Sequence, residues 1–292
     1  MKVIIGIPAF NEEKNIAAII VRLKKKYDHV IVCDDGSSDM TQDIASSLGA
    51  LVVKHPTNLG YGAAIKTIFN EARKIDGDVL VTFDADGQHK ISEIDSVLEP
   101  ISENKADIVI GSRFLGNTKD LPKYRKIGIK TITSLTNTLT GSNITDAQSG
   151  FRAYSKKVLN EISPTESGMG ISTEILIKSS KKQMRISEVP ITISYEDNTP
   201  SQEPISHGTS VIFSTVKHVA IERPLLYYGV TGLCFIIVGL IFGGWTIQIF
   251  SEERVLAPGI ALIGIGGIIL GTILLITGTI LYSIISVIRE KQ

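Results

Sequence analysis

Two acids separated by one residue, Asp84 and Asp86 in the stretch VLVTFDADGQH (79–89), carry the strongest chemical signal in the chain. The apolar run Val79 to Phe83 reads as a buried strand, so both carboxylates stand at its carboxyl edge. Acids that close repel each other unless a cation lies between them. Mg²⁺ or Mn²⁺ takes hard oxygen ligands together with the oxygens of a substrate phosphate, so the pair points to a divalent cation and a diphosphate. Asp and Gly87 equally suit a solvated turn, and D-x-D alone does not separate the two readings. Two further polar clusters, Pro8 to Glu12 and Asp34 to Asp39, follow apolar runs of the same kind.

The elements that must position these clusters alternate. Lys2 to Ile7 reads as a strand, and Ile16, Ile19, Ile20 and Leu23 have helical spacing. Val30 to Cys33 is a second strand, Met40 to Leu48 a helix, and Leu51 to Lys54 a third strand. Asn58 to Gly62 then opens a helix through Arg73 that leads to the strand before Asp84. Such alternation predicts a parallel, doubly wound sheet, in which ligands bind beyond the carboxyl ends of the strands. All three polar clusters fall at those ends and should line one cleft. Downstream, Ile91 to Ile101 reads as an amphipathic helix, Asp107 to Ile110 as a strand ending in Gly111-Ser112-Arg113, Ile171 to Ser180 as a helix and Ile186 to Ile193 as a last strand. Lys119 to Lys130 is a basic stretch, suited to solvent, anionic headgroups or a lipid phosphate. Asp146 reads most simply as the ion-pair partner of nearby Arg152, although a role as a base is also open.

Composition divides the chain of 292 residues. Up to about Arg223 charged and apolar residues mix as in a soluble domain. From Leu225 to Phe250, and again from Ala257 to Val287, there is no charge, and about 20 apolar residues cross a bilayer core. Arg223, Arg289 and Lys291 flank the pair, so the positive-inside rule places both ends and the first domain in the cytoplasm. The N-terminal run is too quickly broken by Pro8 and Asn11 to read as a signal peptide. The expected division is a catalytic domain over 1–209, an interfacial amphipathic helix over 210–224, and two spans within 225–288 (about 225–250 and 257–287). Gly239 with Gly243 and Gly267 with Gly271 suit close helix approach, within one chain or in a homo-oligomer, or are simply tolerated in lipid. Lys and Arg together equal Asp and Glu, 30 against 30, which argues against a nucleic-acid partner held by bulk basicity. Cys33 and Cys234 form no disulfide framework.

Taken in order, IPAFNE, CDDGSSD, DADGQH, GSR and SGFR resemble the family 2 glycosyltransferases of GT-A fold, and among them the polyprenyl-phosphate (dolichyl-phosphate) sugar synthases. The resemblance runs over about Lys2 to Ile193. It implies a GT-A (Rossmann-like, mostly parallel) α/β domain that moves a sugar from a nucleotide-diphosphate donor to a lipid phosphate at the bilayer. Pro8, Phe10 and Glu12 then match a nucleotide-binding motif, and Asp34 and Asp35 match acids that contact base and ribose. Asp84 and Asp86 match the pair that takes metal and diphosphate, with Gln88 on the same loop. Arg113 and Arg125 match cations near the acceptor phosphate, although Ile129 stands where a Ser often follows. The loop Ile205 to Val211 lacks an Arg and a Lys common in relatives, and His207 is either a partial replacement or a plain loop residue. A phosphate acceptor suits the sequence because it is already anionic and needs guiding cations more than a base. The rival readings are a polysaccharide synthase and a non-catalytic membrane scaffold. The former lacks its Q-x-x-R-W signature here, where the only Trp is Trp245.

Overall fold

The structure, a computed structural model, describes residues 1–116, 123–192, 225–255 and 257–290, without the side chains of 123–125, 226 and 285–290. It separates into two compact units, Met1–Thr215 and Val216–Gln292.

In the first unit, apolar runs too short for helices become strands β1 (Val3–Ala9), β2 (His29–Asp34), β3 (Leu51–Lys54), β4 (Val79–Thr82), β5 (Ile108–Ser112), β6 (Arg152–Ser155) and β7 (Ile186–Pro190). They form one seven-stranded sheet in the order β3-β2-β1-β4-β6-β5-β7. The helices are α1 (Glu13–Lys24), α2 (Thr41–Ser47), α3 (Tyr61–Lys74), α4 (Ile94–Ser102), α5 (Lys123–Thr140), α6 (Lys156–Glu161) and α7 (Ile171–Lys181). The central strands are apolar on both faces because both are covered. Ile5 and Ile7 pack with Ile16, Ile20, Ala45, Ile94 and Val97 of α1, α2 and α4. Ile4 and Ile31 point the other way, onto Ile65, Ile68, Val158 and Ile175 of α3, α6 and α7. Burial of this kind contributes about 25 cal/mol per Å² of apolar surface, and here it lies on both faces of the sheet.

The sheet is mostly parallel, as the resemblance implies, and departs from the wholly parallel sheet that alternation alone predicts because β6 runs antiparallel to both β4 and β5. After β5 the chain leaves through α5 and returns by the 141–151 loop, so it enters β6 from the carboxyl edge of β4 and β5. The second departure is α5 itself, where only a basic stretch was expected. Its Thr residues return hydrogen bonds to carbonyls one turn back, Thr136 to Ile132 at 2.8 Å and Thr140 to Thr136 at 2.8 Å, which hides a helix in a polar, β-branched sequence.

The second unit holds α8 (Val230–Glu253), preceded by a π-helical turn (Leu225–Gly229), and α9 (Pro258–Glu290). Both are long and apolar enough to cross a membrane, and they leave Trp245, Ile247 and Leu262 more than half exposed. Glycine sets their contact. A Cβ on Gly239 would sit 2.7 Å from the Gly264 carbonyl oxygen, and one on Gly271 would sit 2.5 Å from that of Gly232. The close approach expected of these glycines is thus made within the hairpin. The expected amphipathic helix at 210–224, the preceding loop and His207 lie outside the described residues.

Candidate active site

Strands β2, β1 and β4 are adjacent and parallel, so their carboxyl ends open on one edge. At the end of β1, Pro8 is buried and Phe10 half-buried, and the turn that follows is tied to the β2 loop. The Asn11 amide donates to Ser37 Oγ at 2.9 Å, and the Glu12 amide donates to Thr41 Oγ1 at 2.8 Å. The first two clusters are therefore one structure.

The two acids ending β2 have different surroundings. Both oxygens of Asp35 are engaged: Oδ1 accepts from the Leu59 amide at 3.0 Å and faces His55 Nδ1 at 2.6 Å, while Oδ2 accepts from the Gly60 amide at 2.8 Å. His55 also reaches Thr67 Oγ1 at 2.9 Å, which ties the strand edge to α3. Burial, with the Asp35 charge beside it, pushes the neighbouring Cys33 thiol up to about 12, so it behaves as an inert small side chain. Asp34 keeps one oxygen in use, Oδ1 accepting from the Ser37 amide at 3.2 Å.

Asp84 and Asp86 stand half-buried just beyond β4. Asp84 faces Tyr61 Oη at 3.4 Å and His89 Nε2 at 3.3 Å, and the His89 ring is held among Phe83 and Phe151. Asp86 Oδ1 accepts from the Gln88 amide at 3.0 Å, which fixes the loop carrying Gln88. Burial and the Asp84 charge raise the proton affinity of Asp86 above the ordinary carboxylate range. Burial also raises Glu12, with the charges of Asp86, Asp39 and Asp84 adding to it. Burial and neighbouring negative charge thus favour the protonated forms of Asp86 and Glu12, and a cation between the acids would offset that charge. Among the described residues no three His, Cys, Asp or Glu side chains converge closely enough to hold such a cation alone. The donor set, two half-exposed acids and a side-chain amide, fits a hard divalent ion that completes its shell with substrate oxygens.

The 146–151 loop closes the other side. A Cβ on Gly150 would lie 2.6 Å from Asp84 Oδ2, so only glycine lets the loop come this close to the acid. Thr82 Oγ1 donates to the Gly150 carbonyl at 2.6 Å. Arg152 does not pair with Asp146, contrary to the sequence reading. Its guanidinium, 1% exposed, donates instead to the carbonyls of Ala147, Ser149 and Ser172 at 2.7, 2.8 and 2.9 Å and holds the loop's shape. Asp146 belongs to Arg113, whose Nε and Nη2 donate to it at 2.6 and 2.7 Å. Burial alone would raise Asp146, but the Arg113 charge and its hydrogen bonds outweigh that and hold it below the ordinary range. A carboxylate held this way is a poor proton acceptor, so the structure speaks against Asp146 as a base. Glu188 on β7 accepts from the Thr145 and Asp146 amides at 2.7 and 3.0 Å and braces the pair, a role with no signal in the sequence.

A cavity of about 690 Å³ runs along α5, lined by Phe114, Lys126, Lys130, Ser134 and Thr145 among others. Arg125 lies on the first turn of α5, and its side chain is outside the described residues. Asp84 and Asp86 thus stand at the end of β4, Arg113 at the end of β5 is paired with Asp146, and Lys126 and Lys130 line the groove along α5.

Residues 4–163 match the Glycosyl transferase family 2 profile. The UDP-N-acetylglucosamine--dolichyl-phosphate N-acetylglucosaminyltransferase of Methanococcus voltae is 34% identical, over 70% of this chain and 89% of its own length. The dolichyl-phosphate hexose transferase of Haloferax volcanii is 30% identical, over 73% of this chain and 92% of its own. Among solved structures, glucosyl-3-phosphoglycerate synthase from Mycobacterium tuberculosis, in complex with Mn²⁺, UDP and phosphoglyceric acid, matches with a TM-score of 0.59 and 21% identity, over 74% of this chain and 78% of that one. That likeness concerns the fold, a mostly parallel mixed sheet of GT-A type. Matched over more than half its length, and by relatives at 30% identity or above, the chain belongs to glycosyltransferase family 2.

Proposed function

We propose that this enzyme transfers a hexose from a nucleoside-diphosphate sugar to a polyprenyl or dolichyl phosphate at the cytoplasmic face of a membrane. The observation that carries the reading is the acid pair Asp84 and Asp86 at the end of β4, approached through Gly150 by the 146–151 loop, whose Asp146 holds Arg113. The named relatives act on dolichyl phosphates, which agrees with it.

In this reading Pro8, Phe10, Glu12, Asp34 and Asp35 frame the nucleotide pocket. Asp84 and Asp86, with Gln88, would hold Mg²⁺ or Mn²⁺ against the donor diphosphate. Such an ion, when bound, offsets the charge that the leaving nucleoside diphosphate gains as the glycosidic bond breaks. Two anionic reactants must meet at the anomeric carbon, so fixed cations have to offset their repulsion. Arg113 holds the acceptor phosphate near the sugar, while Arg125 and the α5 lysines receive it closer to the bilayer. The phosphate oxygen attacks as an anion and gives up no proton, which is why the immobilised Asp146 is no obstacle. The sheet domain, 1–209, does the chemistry. The segment 210–224 lies at the interface, and α8 and α9 anchor the chain, with both termini cytoplasmic.

Asp86→Asn keeps shape and removes charge. Transfer should fall by about 100-fold or more, and chelators should abolish it in the unaltered enzyme. Near-normal turnover of the variant at saturating donor, or activity that resists chelation, would sink the metal assignment.

A further inference from the structure

His89 sits in surroundings suited to a hydrocarbon ring, with a side chain only 5% exposed. Its ring centroid lies 5.9 Å from that of Phe83 and 5.2 Å from that of Phe151, and Nδ1 is buried with no hydrogen-bond partner among the described residues. A phenylalanine would fill the same space without a buried, unpaired nitrogen, which costs stability. The other nitrogen supplies the reason for a histidine. Nε2 stands 3.3 Å from Asp84 Oδ2. A proton on Nε2 meets that carboxylate, whereas one on Nδ1 meets nothing, so the geometry selects the Nε2–H tautomer. The opposite oxygen, Oδ1, faces Tyr61 Oη at 3.4 Å, and Gly150 lets the 146–151 loop press against the same carboxylate. Asp86, by contrast, accepts from the Gln88 amide within its own loop.

We propose that His89 is a positioning residue for Asp84: by donating Nε2–H to Oδ2 it fixes the carboxylate in the orientation that takes the divalent cation. This rests on the metal reading of the acid pair and adds the group that aims one of its members. Donors on both oxygens set the plane of the carboxylate, and each oxygen keeps a lone pair for the ion. An acid beside a second acid, without such donors, turns away from its neighbour's charge. The ion would then have to order it on arrival, and its affinity would fall by that cost. Tyr61 alone leaves one oxygen loose. The aromatic packing of His89 is what makes its own N–H a fixed reference, so the residue acts on the ion through Asp84 and not by contact with it.

The test has two parts, both on the full chain in detergent. Nitrogen-15 NMR of the metal-free, histidine-labelled protein should give a ring with bare Nδ1 and protonated Nε2 whose signals vanish in His89→Phe. A proton on Nδ1 of that ring overturns the proposal, and this measurement on the unaltered chain keeps the test decisive if the variant folds poorly. Mn²⁺ titration with UDP and, separately, GDP present, followed by electron paramagnetic resonance, is the second part. His89→Phe keeps the packing and loses the donor, so Mn²⁺ should bind about tenfold or more weaker with an unchanged melting temperature. His89→Gln, whose amide can stand where Nε2 does, should recover most of the affinity. Mn²⁺ binding in His89→Phe equal to that of the unaltered chain, or weakened as much in His89→Gln, overturns the positioning role and leaves the metal assignment standing. Absence of bound Mn²⁺ in the unaltered chain with either nucleotide overturns both.

Discussion

At the scale of single residues, partnership decides function more than residue type does. Asp34 and Asp35 are adjacent and chemically identical, yet Asp35 ties a turn to His55 while Asp34 retains an acceptor. Nothing in the string CDDGSSD separates them, because the partners of Asp35 lie 20 to 25 residues away. The same holds for Arg113 and Asp146. Sequence proximity suggested Asp146 with Arg152, but folding sets it against Arg113, and Arg152 is satisfied by carbonyls instead. The bidentate grip fixes the guanidinium plane, and Lys cannot reproduce a plane. Arg113→Lys should therefore leave nucleotide-sugar binding nearly intact while transfer to lipid phosphate falls by roughly 30-fold or more, the loss of a charge-assisted contact. Steady-state kinetics with varied donor and acceptor will show it. If donor binding and folding fail together, Arg113 is structural, and if transfer is unchanged it does not belong to the site.

At the scale of elements, strands with two covered faces were legible because they are short, apolar and bounded by Asp, Gly and Asn. β3 matches its sequence bounds, Leu51 to Lys54, and the three polar clusters do fall at strand ends. Strand direction was not legible, since a run such as Arg152–Ser155 reads the same whichever way it enters the sheet. Nor was α5, whose threonines mask the helical period. The loop before β6 depends on Arg152, and Arg152→Met would leave three carbonyls without their donor in the interior. Destabilisation of about 3 kcal/mol is expected, with transfer lost before nucleotide binding, because the loop presents Asp146 and Gly150 to the cleft. Denaturant melts with and without UDP will measure it. A variant as stable as the parent would show that the buried guanidinium is not what holds the loop.

At the scale of the molecule, composition changes near Arg223, and the structure separates into units over Met1–Thr215 and Val216–Gln292. The sheet with its two helical layers has a core of its own, and the hairpin is closed on itself through glycine. On the proposed reading, chemistry and anchorage are separable. A chain ending at Arg223 should bind nucleotide yet act poorly on long-chain acceptor in a bilayer. The central claim is the acceptor, and it is tested most directly by incubating membranes that carry the full chain with a panel of radiolabelled nucleotide sugars, with and without added polyprenyl phosphate, and extracting the lipid. The account predicts label in an organic-soluble product that rises with added polyprenyl phosphate, needs a divalent cation and is largely lost with the chain ending at Arg223. Label that appears only in polysaccharide or protein, or a lipid product indifferent to polyprenyl phosphate, would contradict it.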